Sequence, residues 1–220
     1  MKSYFTLPWS LHHAVARAAV QQGLPVRAHG WAREEAIRGV LLGHEGAEHM
    51  LPVNMYYDDI LKLFAATGTR WTPTLPAVFG RIPEAAPVRT AMIDMVKRAY
   101  RNGVQLLPGT DSLNPRDEYG QAVHAELQHF AQAGVPPLEV LRIATQHSAA
   151  MVGADKLLGS LEPGKLADIV LLEGNPLDNI ANTLTVWKVV LGGRVFEERQ
   201  PLTANGGEDV RDPDDLHAHH

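Results

Sequence analysis

Short apolar runs alternate along this chain with longer segments whose apolar residues recur at helical spacing. The short runs are typical of buried β-strands, and the longer segments are typical of amphipathic helices. Most of the helical segments are followed by a glycine, which favours the end of a helix at that position. The predicted strands cover residues 2–6, 25–29, 46–49, 70–75 and 104–107. The predicted helices cover residues 11–22, 33–42, 58–67, 88–102, 119–132 and 137–152. This alternation predicts parallel βαβ units and an α/β fold.

The pattern changes after Gly153. Residues 160–180 and 185–197 hold short apolar runs between Pro-Gly, Gly-Asn-Pro and Gly-Gly turns, which predicts a small antiparallel β element. A proline-rich loop at residues 73–87 is a candidate lid. We therefore divide the chain into an α/β unit at 1–153, a β element at 154–198, and an acidic tail at 199–220 that we expect to be disordered.

Composition narrows the classes of function. The 220 residues are 45% hydrophobic and carry a net charge of -5, which argues against a nucleic-acid partner. The chain has no cysteine, so a metal site must use histidine, carboxylate or a modified lysine. No apolar stretch approaches the roughly 18 residues of a membrane span, and we expect no membrane partner. The start of the chain does not resemble a signal peptide. The absence of cysteine fits the reducing cytoplasm, although it leaves export open.

Three polar residues stand where predicted strands end. His29 ends the second strand and His49 ends the third, with His44 as a competing imidazole five residues before His49. Asp111 lies in LLPGTDS, residues 106–112, directly after the fifth strand. In β/α barrels, catalytic side chains lie at these strand ends. Two imidazoles and a carboxylate are ligands that a divalent ion such as zinc uses. The alternatives are a histidine bonded to a loop and an aspartate that caps a turn.

Several motifs together resemble the amidohydrolase superfamily, in particular its imidazolonepropionase and Xaa-Pro dipeptidase-like branch. They are the helix pair and β segment at residues 126–180, the hairpin VVLGGRVFE at 189–197, the Glu48-His49 pair, GTDS at 109–112, and KSYFTLP at 2–8. The resemblance implies a partial (β/α)8 TIM-type barrel containing the family's strands 4 to 8, with a C-terminal β element from the family's sandwich. The family's first three strands and its HxH pair have no counterpart near the start of this chain.

The resemblance also assigns roles. It implies that Asp111 is the general base and a metal ligand, and that His29 and His49 are metal ligands. Lys2 matches the family's carbamate-forming lysine, although a lysine near a chain end is equally an exposed surface residue. We expect one divalent ion, zinc by ligand type, rather than two. Weaker predictions place Tyr4, Arg116 and His124 in the substrate pocket. The pair His217 and His219 ends a polar tail and is expected to be solvated.

The predicted function is metal-dependent hydrolysis of non-peptide C–N bonds or dipeptide-type amides, with metal-activated water and Asp111 as the base. Two alternatives stay open. One is a truncated and inactive remnant, or a fragment that needs a separate N-terminal chain. The other is a non-catalytic binding module. The expected partners are a small-molecule substrate and a second copy that covers open barrel edges. The sequence does not identify the substrate, because specificity lies in loops.

Overall fold

The parallel sheet follows the predicted order of strands. A computed structural model describes residues 1–4, 7–29, 33–49, 58–112 and 120–196. Its strands β1 (Lys2–Ser3), β2 (Arg27–His29), β3 (Gly46–Glu48) and β4 (Arg70–Thr72) lie side by side in chain order, and each neighbouring pair is parallel. Helices α1 (Trp9–Gln21), α2 (Arg33–Leu41) and α3 (Asp58–Thr67) connect them. The prediction of an α/β fold with a parallel sheet is confirmed.

The described parallel sheet has four strands, and the predicted fifth strand contributes only one bridge, to Trp71 of β4. Residues 104–107 form one isolated parallel bridge, Leu106 with Trp71, in place of the predicted strand. The Trp71 N–H donates to the carbonyl of Gln105, and the Leu107 N–H donates to the carbonyl of Trp71, each at 2.9 Å. The next bond of this ladder requires an N–H at residue 73, which is proline. Pro73 therefore ends both the ladder and strand β4. The prediction that this strand continues to Leu75 was wrong.

A helix occupies part of the predicted proline-rich loop. Helix α4 (Leu75–Phe79) begins directly after strand β4, and it precedes the long helix α5 (Pro87–Arg101). Pro76 stands in the first turn of α4, where its missing N–H removes no intrahelical hydrogen bond. Leu75 and Phe79 are buried in the core. The prediction of an irregular loop at these positions was therefore wrong for its first part.

The next helices match the predicted segments, with one irregularity. Helix α6 (Gln121–Gln132) is followed by α7 (Pro137–Arg142), a π-helical turn (Ile143–His147) and α8 (Ser148–Met151) in place of one continuous helix. Hydroxyl groups bond back into this turn. The Thr145 hydroxyl donates to the Leu141 carbonyl at 2.7 Å, and the Ser148 hydroxyl donates to the Ile143 carbonyl at 2.9 Å. Such bonds distort the regular helical ladder.

A separate antiparallel sheet follows, as predicted. Its strands are β5 (Ile169–Leu172), β6 (Val186–Leu191) and β7 (Arg194–Phe196), with a 3-10 helix (Ile180–Leu184) between the first two. The predicted domain boundary near residue 153 stays a prediction. The predicted acidic tail at 199–220 lies outside the described residues. Among the helices of the described ranges, none is long and apolar enough to cross a membrane.

One apolar core lies between the parallel sheet and its helices. Its largest fully buried side chains include Trp71 from β4, Phe64 from α3 and Phe130 from α6. Leu106 and Leu107 are each 2% exposed, so the run before Pro108 is buried as a strand would be. The core thus anchors the backbone just before the polar residues at the strand ends, and it fixes where their side chains point.

Candidate active site

Four of the predicted site residues come together at one end of the parallel sheet. The ammonium of Lys2 lies 3.0 Å from Nε2 of His49. The rings of His29 and His49 stand edge to face with 4.4 Å between their centres. A carboxylate oxygen of Asp111 lies 3.6 Å from Nδ1 of His49. A cavity of about 310 Å³ opens over this cluster, and Lys2, His49 and Asp111 line it.

The backbone at this end of the sheet is strained. Within the described ranges, three residues other than glycine have positive φ angles: His49 (72°), Thr74 (54°) and Asp111 (45°). All three line the cavity. Such conformations cost on the order of 1–3 kcal/mol each and persist only where the surroundings hold them in place. A β-branched threonine in this region is a particular outlier. The strain therefore coincides with the cluster of candidate catalytic groups.

Neighbouring groups hold the backbone of His49. Its N–H donates to the carbonyl of Thr72 at 2.8 Å. Its carbonyl accepts from the indole N–H of Trp71 at 2.9 Å, and this contact is buried. Glycine at position 109 lets the opposite wall approach closely, because a Cβ there would overlap the methyl group of Thr72. Sequence reasoning missed Trp71 and Thr74 as parts of the site.

The contacts of His49 define its tautomer. A lysine ammonium has three donors and no acceptor, so Nε2 of His49 accepts from Lys2. Nδ1 then carries the proton, and it faces the hydroxyl oxygen of Thr74 at 3.1 Å. The Asp111 carboxylate, on the same side of the ring, favours the same assignment. The lone pair of Nε2 therefore points towards Lys2, away from Asp111.

The pKa values of both imidazoles are lowered, which favours their neutral forms. Burial, followed by the charges of His49 and Lys2, lowers the pKa of His29 to about 4, and Asp111 opposes this only weakly. Burial and then the charge of Lys2 lower the pKa of His49, against the carboxylates of Asp111 and Glu48. Glu48 itself is paired with Arg27 at 2.6 Å. Neutral imidazoles have a free lone pair, which is the form that binds metal ions.

The donor chemistry of the cluster fits a divalent ion such as zinc, although the set is incomplete. Two neutral imidazoles and a nearby carboxylate are ligand types that zinc prefers. Within the residues that the structure describes, however, no three histidine, aspartate or glutamate side chains are arranged around one position for an ion. Lys2 is the group that contacts Nε2 of His49, and its amine as it stands is not a ligand for the ion. A carbamate formed on Lys2 would supply the missing anionic oxygen.

The weaker predictions have different outcomes. The ring of Tyr4 lies 4.3 Å from that of His29, next to the cluster. His124 faces away from the cavity lining, because its Nδ1 contacts the hydroxyl of Thr183 in the 3-10 helix at 3.0 Å. Arg116 lies outside the described residues, as do His217 and His219. His44 is absent from the lining of this cavity, and so is His29, which lines a second, small cavity together with His44.

His44 is instead buried on the helical side of the sheet. It is 5% exposed, and within the described part of the chain neither ring nitrogen has a hydrogen-bond partner. It lines a small cavity with Trp9, His12 and Arg38. Burial, and then the charge of His12, lower the pKa of His44 to about 4. The folded protein therefore binds a proton at His44 less readily than the unfolded chain does.

This shift predicts a pH dependence of stability. A lowered histidine pKa stabilises the fold above pH 6.5, and that contribution is lost as the pH falls towards 4. The shift corresponds to at most about 3 kcal/mol. In the variant His44→Leu, we expect the free energy of unfolding to fall less steeply between pH 6.5 and 4 than in the wild type. Urea denaturation at several pH values measures both slopes, and equal slopes would contradict the assignment.

Comparison with known proteins identifies the family. The family model described as "Amidohydrolase family" matches residues 6–196, and the chain belongs to this family. A curated relative, ochratoxinase of Aspergillus niger, is 27% identical over 219 residues, covering 90% of this chain and 43% of the relative. The chain thus spans less than half of the length of that protein.

Two solved structures are similar to this chain in fold. A Xaa-Pro dipeptidase with bound methionine in the active site superimposes with a TM-score of 0.74 at 28% identity, covering 87% of this chain and 49% of the other. A prolidase complexed with N-methylphosphonate-L-proline gives a TM-score of 0.70 at 25% identity, covering 88% and 50%. The structural neighbours are TIM-barrel amidohydrolases, and this chain corresponds to about half of each. Members of the family are generally metal-dependent.

Proposed function

We propose that this chain carries the part of an amidohydrolase site that hydrolyses a C–N bond in a dipeptide-type amide. Membership of the amidohydrolase family supports the reaction class. The dipeptidase and prolidase neighbours support the substrate class. The observation that carries the proposal is the cluster of Lys2, His29, His49 and Asp111 at the sheet end. The sheet itself would be part of a (β/α)8 barrel, strands 4 to 8 of the family.

The residues have distinct roles in this proposal. His29 and His49 would hold one divalent ion, zinc by ligand type, with Lys2 as a carbamate. The ion, when bound, would polarise the amide carbonyl and acidify a water molecule. Asp111 would take a proton from the attacking water as its oxygen bonds to the carbonyl carbon, and would pass that proton to the amine nitrogen as the C–N bond breaks. The Asp111 carboxylate lines the cavity and stays partly accessible to water, with 32% of its side chain exposed.

The cavity has a shape suited to a small substrate. Its volume of about 310 Å³ lies at the low end of the range of small-molecule sites. Thr72 and Thr74 form one wall, and Ser148 and Met151 form part of another. Hydroxyl groups and a thioether suit a substrate with one polar amide and a compact apolar side chain. A proline ring or another small residue meets this description.

Zinc content tests the proposal. All variants should carry alanine at His217, His219 and His220, because these tail imidazoles would bind zinc by themselves. In that background we expect one zinc per chain after dialysis against a low zinc concentration. His29→Ala and His49→Ala should lose it. His124→Ala, which removes an imidazole outside the cavity lining, should retain it.

The opposite outcome is equally informative. If the background chain retains no stoichiometric zinc, it does not form this metal site alone, and an inactive member of the family becomes the better interpretation. Loss of zinc in His124→Ala would place the ion elsewhere. Elemental analysis of each purified variant distinguishes these results, and a circular dichroism spectrum shows whether each variant is folded.

A further inference from the structure

Helix α6 places one carboxylate inside the core. Glu126 is wholly buried, with 0% exposure. Its two oxygens accept hydrogen bonds from the backbone N–H groups of Thr74 and Leu75, each at 3.0 Å. Burial raises the pKa of Glu126 well above its ordinary value, and these two N–H groups oppose the shift. A buried carboxylate is rare unless its partners are fixed. The proposed reaction does not use Glu126, so its position calls for another explanation.

The partners of Glu126 stand at the start of helix α4. Thr74 is the residue that caps this helix, and its side chain makes no capping hydrogen bond. The hydroxyl of a capping threonine ordinarily accepts from the backbone N–H two or three residues further on, and the first of these positions is Pro76, which has no N–H. Glu126 accepts from the two preceding N–H groups, those of Thr74 and Leu75. The Thr74 hydroxyl is therefore available for Nδ1 of His49, at 3.1 Å.

We propose that Glu126 is a positioning residue, which holds Thr74 in its left-handed conformation so that the Thr74 hydroxyl orients the imidazole of His49. Two contacts connect α6 to the site: Glu126 to the Thr74 backbone, and the Thr74 side chain to His49. Thr74 has φ 54° and ψ 46°, which a β-branched residue adopts only under constraint. The two hydrogen bonds that Glu126 accepts from Thr74 and Leu75 supply that constraint.

Through these two contacts, Glu126 influences which ring nitrogen of His49 carries the proton. When Thr74 accepts from Nδ1–H, the lone pair of Nε2 faces Lys2, and a ligand that binds on that side would replace the Lys2 hydrogen bond. Partners of this kind fix the ring orientation of metal-binding histidines, and their loss typically lowers metal affinity by about 10- to 100-fold. The consequence for zinc rests on the proposed function. The consequence for the tautomer does not, because it concerns the metal-free protein.

The experiment compares three variants in the metal-free full chain. Glu126→Gln keeps the shape of the side chain, but its amide nitrogen cannot accept from a backbone N–H. Thr74→Val removes only the hydroxyl. Phe130→Leu is the matched control, because Phe130 lies on the same helix and is fully buried in the core. Long-range 1H–15N correlation spectra report the tautomer of His49, which the spectrum of His49→Gln assigns.

In the wild type and in Phe130→Leu, we expect His49 to carry its proton on Nδ1 only. In Glu126→Gln and Thr74→Val, the ring of His49 loses the acceptor that orients Nδ1 and can turn away from Lys2 and Asp111, so we expect a mixture of both tautomers. Zinc titration should then show affinity lowered by about 10- to 100-fold in these two variants. An unchanged tautomer in folded Glu126→Gln would overturn the proposal, as would an equal change in Phe130→Leu.

Two further outcomes also have a defined interpretation. If Glu126→Gln does not fold, Thr74→Val decides, and an unchanged His49 tautomer in that variant would overturn the proposal. If the wild type binds no zinc, the proposed function fails while the spectra still test the link from Glu126 to His49. The two failures are therefore distinguishable in one set of samples.

Discussion

Replacing Asp111, the proposed general base, with asparagine should lower kcat of the proposed reaction by about 10²- to 10⁴-fold, the usual contribution of such a base. Asparagine has nearly the same shape as aspartate and tolerates the left-handed backbone that residue 111 adopts, with φ 45°. The fold should therefore be preserved. The amide cannot take a proton from water at neutral pH, so the reaction loses its base while the neighbouring imidazoles remain.

The assay compares kcat for a panel of dipeptides that end in proline and for N-acyl amino acids. Zinc content is measured on the same samples, so that a lost metal is not mistaken for a lost base. Asp168→Asn is the matched control. Its carboxylate accepts from the Gly192 N–H at 2.8 Å in the C-terminal segment, away from the cavity lining. A kcat for Asp111→Asn within threefold of the wild type would instead make Asp111 a turn residue.

The strand-end residues of the site were predictable because each one follows a local pattern. His29, His49 and Asp111 each stand where an apolar run ends. Parallel strands align their carboxyl ends, so three separate runs suffice to bring these side chains together. Lys2, at the first strand, lies 3.0 Å from His49. Their roles as ligands and as base stay predictions.

The remaining parts of the site depend on contacts between distant segments. Trp71 looks like any core aromatic residue in the sequence, yet its indole donates to the backbone of His49. Glu126 lies four residues from both Ala122 and Phe130, on the buried face of α6, but only the packing of α6 on α4 gives its side chain two backbone donors. Pro73 signals a strand end, but which ladder bond it removes depends on the register with Leu106. The spacing of apolar residues along the sequence does not specify these contacts between distant segments.

Truncation of Trp71 should have the largest effect on stability. Its side chain is 1% exposed, and its backbone makes the bridge to Leu106 that closes the described parallel sheet. Removing a buried tryptophan side chain costs about 3–5 kcal/mol through lost burial and the cavity left behind. A domain of this kind has a total stability of about 5–15 kcal/mol. We therefore expect Trp71→Ala to lose a large part of the free energy of unfolding, measured by urea denaturation.

Two companion variants separate burial from the hydrogen bond to the site. Trp187 is 57% exposed on β6, so Trp187→Ala should change the free energy of unfolding by about 0.5 kcal/mol or less. Trp71→Phe keeps most of the apolar volume but leaves the carbonyl of His49 without its indole donor, at a cost of about 1–3 kcal/mol. A loss below 1 kcal/mol in Trp71→Ala would contradict the packing. A Trp71→Phe variant as stable as the wild type would show that the strained backbone of His49 is held by its bond to Thr72 instead.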